Sequence, residues 1–300
     1  MIKRILLTLT AVASLTIANY AARAAVKIGV YDYNQTFTTS INQTYEEIFL
    51  SSWGTPNVLY PQQTGETLAA SLASIRGRNR WPLVTVQPYH IASIGTATNL
   101  LTDVANGKYD ATIASLCAQI RAYNGPILIR WGQEMELSSN IGRYDWASTN
   151  YTHYIKAYQH VITIFKKDLA GLANVYYVWG PAGNNNCNSY YPGDGYVDYV
   201  GCSLYSWQAY YAPLGYSGTF DELMGWKYPY LSVHNKPVMI CEEGVEVADP
   251  QATWVAAAKA VYYKYPLLFA AVYFNSPDSI AWWTGGPIPD WSISPSIWTP

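Results

Sequence analysis

Short apolar runs alternate with longer amphipathic stretches along most of this chain. Strand-like runs occur at Val26–Asp32, Val58–Pro61, Leu83–Tyr89, Ile127–Trp131, Val175–Gly180, Val197–Tyr205, Val238–Glu242 and Leu267–Asn275. Helical candidates lie at Ile41–Leu50, Glu66–Ile75, Tyr109–Tyr123, Tyr151–Leu169, Asp221–Trp226 and Gln251–Tyr265, and the stretch between residues 180 and 197 reads as a loop. The strand-like runs show little polar alternation, which suits a parallel sheet covered by helices. Eight strand–helix units in about 275 residues fit an α/β chain folded as a single (β/α)8 TIM barrel, with its active site at the C-terminal strand ends. A doubly wound open sheet is the rival architecture. It favours a glycine-rich phosphate loop after the first strand, and Gly29-Val-Tyr-Asp-Tyr-Asn34 contains none. No linker or charge run divides residues 25–300, which are read as one catalytic domain.

Composition narrows the function. Charged residues make up 13% of the chain and aromatics 15%, with 28 Tyr and 12 Trp, so surface polarity falls to hydroxyl and amide groups. Such groups hydrogen-bond and stack on neutral sugars. Most of the rings are nevertheless expected in core and rim packing. The net charge of -2 leaves no electrostatic footprint for nucleic acid or an anionic membrane. Four scattered histidines and no CxxC spacing give no metal site. Cys187 and Cys202 fall where they could meet at one rim, whereas Cys117 and Cys241 read as buried thiols.

Residues 1–24 read as a secretory signal peptide. Lys3 and Arg4 precede an apolar stretch from Ile5 to Ala18, and Ala22-Arg23-Ala24 forms an A-x-A cleavage site. The apolar stretch is shorter than the roughly 20 residues a membrane anchor needs. The first cysteine is Cys117, so a lipid anchor at the cut is not expected. The expectation is a secreted or periplasmic monomer with no membrane anchor after cleavage.

Two strand-like runs end in glutamate. Pro126-Ile-Leu-Ile-Arg-Trp-Gly-Gln-Glu134 and Lys236-Pro-Val-Met-Ile-Cys-Glu242 place carboxylates 108 residues apart at the same end of a barrel. Glycosidic bond cleavage needs two such groups, one to protonate the leaving oxygen and one to attack or to activate water. Arg130 and Tyr205 are positioned to hold one carboxylate ionised, and Trp131 to desolvate the other. Any single glutamate at a strand end is more often simply solvated, and Glu136, Glu243 and Glu246 are read that way. On the mouth side, Trp207 and Trp283 are stacking candidates, while Trp53, Trp146 and Trp226 are expected away from substrate. Tyr31, Tyr89 and His90 also face the mouth.

In order and spacing, these segments resemble glycoside hydrolase family 26, the β-mannanases and related retaining β-glycanases. Arg130-Trp-Gly-Gln-Glu134-Met resembles the family's Arg-x-x-His-Glu-Met, and Lys236-Pro-Val-Met-Ile-Cys-Glu242-Glu-Gly244 its Lys-Pro-x-x-x-x-Glu-x-Gly. Asn106-Gly-Lys-Tyr-Asp110, Asn174-Val-Tyr-Tyr-Val-Trp-Gly-Pro181 and Tyr191-Pro-Gly-Asp-Gly-Tyr-Val-Asp-Tyr-Val-Gly201 are similar to its lead into the third helix, its fifth strand and its approach to the sixth. The resemblance implies a (β/α)8 fold and double displacement without metal or cofactor. It makes Glu134 the acid/base and Glu242, two positions before Gly244, the nucleophile. Tyr205 would orient that nucleophile, and Arg130 would lie beneath it as a charge partner. Gln133 stands where the family has histidine, and as an amide it can still bond a sugar hydroxyl. Glu136-Leu-Ser-Ser-Asn140 replaces the Asn-Gly-x-Trp usual in mannanases, so a β-glucan, a xylan or a bacterial exopolysaccharide suits the chain as well as mannan. A polysaccharide-binding protein without hydrolysis and a transglycosylase acting on the cell's own exopolysaccharide are the rival functions.

Overall fold

The structure is a computed structural model that describes residues 25–33, 35–39, 42–54, 59–60 and 67–300; the expected leader lies outside these residues. Among the described residues nine strands form, at Lys27–Asp32 (β1), Tyr45–Ser51 (β2), Leu59–Tyr60 (β3), Trp81–Gln87 (β4), Ile127–Trp131 (β5), Val175–Trp179 (β6), Tyr199–Ser206 (β7), Val238–Val245 (β8) and Leu268–Asn275 (β9). Eight of them close a parallel barrel in the order β1-β2-β4-β5-β6-β7-β8-β9, with β9 returning to β1. The short β3 pairs antiparallel with the upper end of β2. The helices are Leu68–Gly77 (α1), Leu100–Ala105 (α2), Asp110–Tyr123 (α3), Tyr151–Asp168 (α4), Gln208–Tyr211 (α5), Phe220–Ser232 (α6) and Gln251–Val261 (α7). Between β6 and β7 the chain makes only two single-turn helical segments, as the loop reading anticipated.

The helices form for local reasons. On α4, Tyr154, Ala157, Tyr158, Val161, Ile162 and Phe165 repeat at three- and four-residue spacing and are buried as one stripe. Asn150, Thr67 and Thr219 cap α4, α1 and α6 by accepting a backbone N–H with their side chains.

One expected element changes type. The sequence predicts a helix from Ile41 to Leu50, but residues 45–50 lie in the second barrel strand. Of the predicted strand at Val58–Pro61, Leu59 and Tyr60 form β3, and the other two residues lie outside the described ones. The sequence Tyr45-Glu-Glu-Ile-Phe-Leu50 carries two glutamates that mimic a solvated helix face. Both are buried instead: Glu46 is bound by Arg78 and Arg80, and Glu47 points into the barrel.

Inside the barrel the side chains stack in layers. At the N-terminal end Tyr45, Trp81, Tyr176, Tyr199 and Phe269 touch in a closed ring, with centroids 4.7–6.4 Å apart. Above them lie Leu83, Leu128, Val178, Met239, Cys241 and Val272. The uppermost layer is polar, with Glu47, Thr85, Arg130 and Glu242. The floor of the barrel is thus sealed with apolar rings, and its chemistry is confined to the C-terminal mouth.

All four cysteines are free and buried, so Cys187 and Cys202 do not form a bridge, and burial pushes both thiols up to about 12. Among the described residues, no helix is long and apolar enough to cross a membrane.

Candidate active site

Strand alternation sets the first carboxylate's surroundings. On β5, Leu128 and Arg130 face the barrel interior, while Ile127, Ile129 and Trp131 face the helices. Trp131 therefore packs against Trp53, Tyr154 and Tyr158 and does not desolvate a catalytic group. Arg130 is fully buried, and its path runs across Gly180, where a Cβ would sit 2.3 Å from the guanidinium Nε. After the strand, Gly132 and Glu134 both adopt left-handed backbone, with φ of 59° and 53°. That is unusual for glutamate and marks strain held by its surroundings. The turn is fastened by Glu134 N–H donating to the Gly180 carbonyl at 2.9 Å and by Trp146 Nε1 donating to the Gln133 carbonyl at 2.7 Å.

A β-bulge sets the second carboxylate. Along β8, Met239 and Cys241 point inward and Val238 and Ile240 outward, so strict alternation would bring Glu243 inward. The register slips instead. Cys202 pairs with Ile240 but Ser203 with Glu242, and on the other side Ala271 pairs with Ile240 but Tyr273 with Glu243. One extra residue in β8 turns Glu242 into the mouth and Glu243 out towards Lys259 and Tyr262.

Glu242 is gripped from two sides. Arg130 Nη1 donates to its Oε1 at 2.6 Å, and the Tyr205 hydroxyl donates to its Oε2 at 2.7 Å. Arg130 also reaches Glu47 Oε1 at 3.4 Å, which Thr85 Oγ1 bonds at 2.6 Å. One guanidinium thus serves two buried carboxyls and lies nearer Glu242. Burial raises Glu47 to about 8, Arg130 opposes that rise, and the Glu242 charge adds to it. Burial thus favours the protonated form of Glu47, and the guanidinium lies nearer Glu242. Glu134 is raised to about 7, first by burial and then by the charge of Glu242. Asn140 Nδ2 lies 3.4 Å from its Oε2.

Two cavities meet at Glu134. A cavity of about 310 Å³ is lined by both Glu134 and Glu242, with Gln133, Gln87, Tyr89 and Tyr144 around them. A second, of about 560 Å³, is lined by Glu134 but not Glu242. Arg143, Tyr205 and Asp278 line both.

The structure brings together Glu134, Glu242, Arg130, Tyr205, Gln133 and Tyr89 from the expected set, but not the rest. Trp207 is 3% exposed because it lies under Trp283, at 4.6 Å, and against Trp282 and Trp291. Trp283 stacks on Trp207 outside both cavities. Tyr31 is buried behind Phe49 and Phe274, whose rings line the smaller cavity in its place. His90 turns to Asp145, its Nδ1 at 2.7 Å, and lines neither cavity. Glu136 and Glu243 are not solvated: Glu136 accepts the Gly183 N–H at 2.9 Å, and Glu243 is fully buried with both oxygens unbonded. Sequence reasoning missed Glu47, hidden in a misassigned segment, and Asp278, which lies beyond the last strand. It also passed over Asn140, whose side chain reaches Glu134. Among the described residues, no group of three His, Cys, Asp or Glu is placed to hold a metal ion.

Comparison with known proteins adds three findings. The model of glycosyl hydrolase family 26 matches residues 93–232, which include Glu134 and Tyr205. The chain is 31% identical over 198 residues to endoglucanase H of Acetivibrio thermocellus and 27% identical over 174 residues to a β-1,3-xylanase of a Vibrio species. These matches take in 60% and 55% of this chain but only 21% and 34% of the relatives, so the chain spans about a fifth to a third of their length. Among solved structures, a family 26 β-mannanase from Bacteroides ovatus superposes with a TM-score of 0.59 at 14% identity, covering 86% of this chain and 82% of that one. Mannanase from Bacillus subtilis superposes at 0.56 and 16% identity, covering 84% and 79%. At such identities the likeness concerns the fold.

Proposed function

The chain belongs to glycosyl hydrolase family 26, and on that premise we propose that it hydrolyses a neutral β-linked polysaccharide internally by retaining double displacement. Glu242 is the nucleophile and Glu134 the acid/base. One observation carries this reading: two carboxyls line one cavity in opposite electrostatic settings. Glu242 accepts hydrogen bonds from a guanidinium and a phenol, whereas burial favours the protonated form of Glu134.

Each group does work suited to its setting. Protonated Glu134 gives its proton to the glycosidic oxygen as Glu242 attacks the anomeric carbon, and the bond to the leaving sugar breaks. The product is a glycosyl ester on Glu242. Esterification removes the charge that helped raise Glu134, so the pKa of Glu134 falls and it becomes the base that deprotonates the incoming water. Hydroxide attacks the same carbon, restores the original anomeric configuration, and frees Glu242. Mannan, β-glucan, xylan and bacterial exopolysaccharide are the substrate classes in question. The chain is further proposed to act as an exported monomer with residues 1–24 removed, which N-terminal sequencing of the secreted protein beginning at Ala25 would test.

Reducing-sugar release from a panel of mannan, mixed-linkage glucan, β-1,3-xylan and cellulose tests the activity. Release by the wild type, lost in Glu134→Ala and Glu242→Ala, is expected. Binding with no release from any polysaccharide would overturn the reading.

A further inference from the structure

The larger cavity is a second surface at the mouth, and its position relative to the two carboxyls gives it a role. A donor sugar must place its anomeric carbon on Glu242 and its glycosidic oxygen beside Glu134. The cavity lined by both therefore holds the donor, and a cavity that touches Glu134 alone lies on the far side of the scissile oxygen. We propose that this larger cavity binds the leaving-group portion of the polysaccharide, with Trp226 as its stacking platform. The proposal rests on the hydrolase reading above.

The walls suit a sugar chain. Trp226 projects from α6 with 42% of its surface exposed, although the same helix buries Phe220, Leu223, Met224 and Leu231. Tyr211 and Tyr216 brace its ring at 6.2 and 4.9 Å. Leu214 and Tyr216, 56% and 46% exposed, extend the same apolar ledge. A neutral protein seldom gathers large exposed apolar groups beside its reactive centre without a ligand to cover them. The other wall is polar: Ser139, Asn140 and Asn184 offer hydroxyl and amide groups to sugar hydroxyls. The α6 helix is fixed relative to that wall, because Lys227 Nζ donates to the Ala182 carbonyl at 2.7 Å. One apolar and one polar wall match the two kinds of surface on a pyranose, and the cavity continues directly from the carboxyl that protonates the departing oxygen.

The test compares two substrates of the sugar identified on the panel. One is the polysaccharide, which fills both cavities; the other is the corresponding glycosyl fluoride, whose leaving group leaves the larger cavity empty. Trp226→Ala is expected to lower kcat/KM on the polysaccharide roughly three- to tenfold through a higher KM, the scale of one lost ring contact. On the fluoride the change should stay within about twofold. Trp226→Phe, which keeps a ring, should recover most of the loss. Equal effects on both substrates, or none on the polysaccharide, would overturn the assignment of the cavity while leaving the hydrolase reading intact. If the wild type releases nothing from any polysaccharide, the hydrolase reading itself fails and this one with it.

Discussion

Glu243 offers a quantitative test of the bulge in β8. Its carboxyl is fully buried, neither oxygen is bonded, and burial raises it from 4.5 to about 8, with Lys259 opposing the rise. A carboxyl whose folded pKa exceeds its unfolded one holds its proton across that interval, so folding takes up a proton there. Native stability from this group is therefore complete below about 4.5 and declines as pH rises towards about 8. At 1.36 kcal/mol per pKa unit, the cost at pH 7 is about 3 kcal/mol. Glu243→Gln keeps the shape, removes the titration, and has no charge to bury.

Urea unfolding of the two proteins at pH 4.5, 6 and 7 measures the difference. The variant should match the wild type at the lowest pH and exceed it by about 3 kcal/mol at pH 7. Its glycanase activity should be retained, because the bulge turns this carboxyl away from the mouth. A stability gap that does not change with pH would refute the burial argument. Loss of activity in a folded Glu243→Gln would refute the assignment of Glu242.

Other substitutions probe the remaining contacts. Tyr205→Phe removes the 2.7 Å bond to Glu242; a lost hydrogen bond to a charged group, about 1.5–3 kcal/mol, predicts a roughly 10- to 100-fold fall in kcat. In the wild type, kcat/KM should decline above about pH 7 as Glu134 loses its proton. Glu134→Gln should abolish that limb, with rate losses far larger for poor leaving groups than for activated ones. Gly180→Ala drives a Cβ to 2.3 Å from a guanidinium that has no space to retreat. It should cost about 1–3 kcal/mol in thermal or urea unfolding and reduce activity together with stability.

Much of this molecule was legible in its sequence, and the exceptions share a cause. Seven of the eight barrel strands stand out as apolar runs, because a strand buried on both faces shows continuous hydrophobicity. β2 does not stand out, since Glu46 and Glu47 break its run, and only the tertiary partners Arg78, Arg80, Arg130 and Thr85 make those carboxyls tolerable inside. The two carboxyls that line the mouth cavity were readable from their motifs, but alternation along β8 favours Glu243, and the pairing slip that reverses this leaves no local signature. Trp207 and Trp283 lie outside the two cavities for a similar reason. Trp207 lies in a mouth-side segment, yet Trp282, Trp283 and Trp291 arrive from the C-terminal loop to cover it. The position of Trp226 beside the mouth depends on how α6 packs, which its own sequence does not encode.

The central claim is that Glu242 forms the covalent intermediate. Incubation with an activated 2-deoxy-2-fluoro glycoside of the sugar identified on the panel should stall the enzyme as its glycosyl ester. Peptide mapping by tandem mass spectrometry then finds the attachment point. An adduct on Glu242, with the neighbouring Glu243 unmodified, is the predicted result. Attachment at Glu243 or Glu134, or turnover that yields inverted product and no adduct, would contradict it.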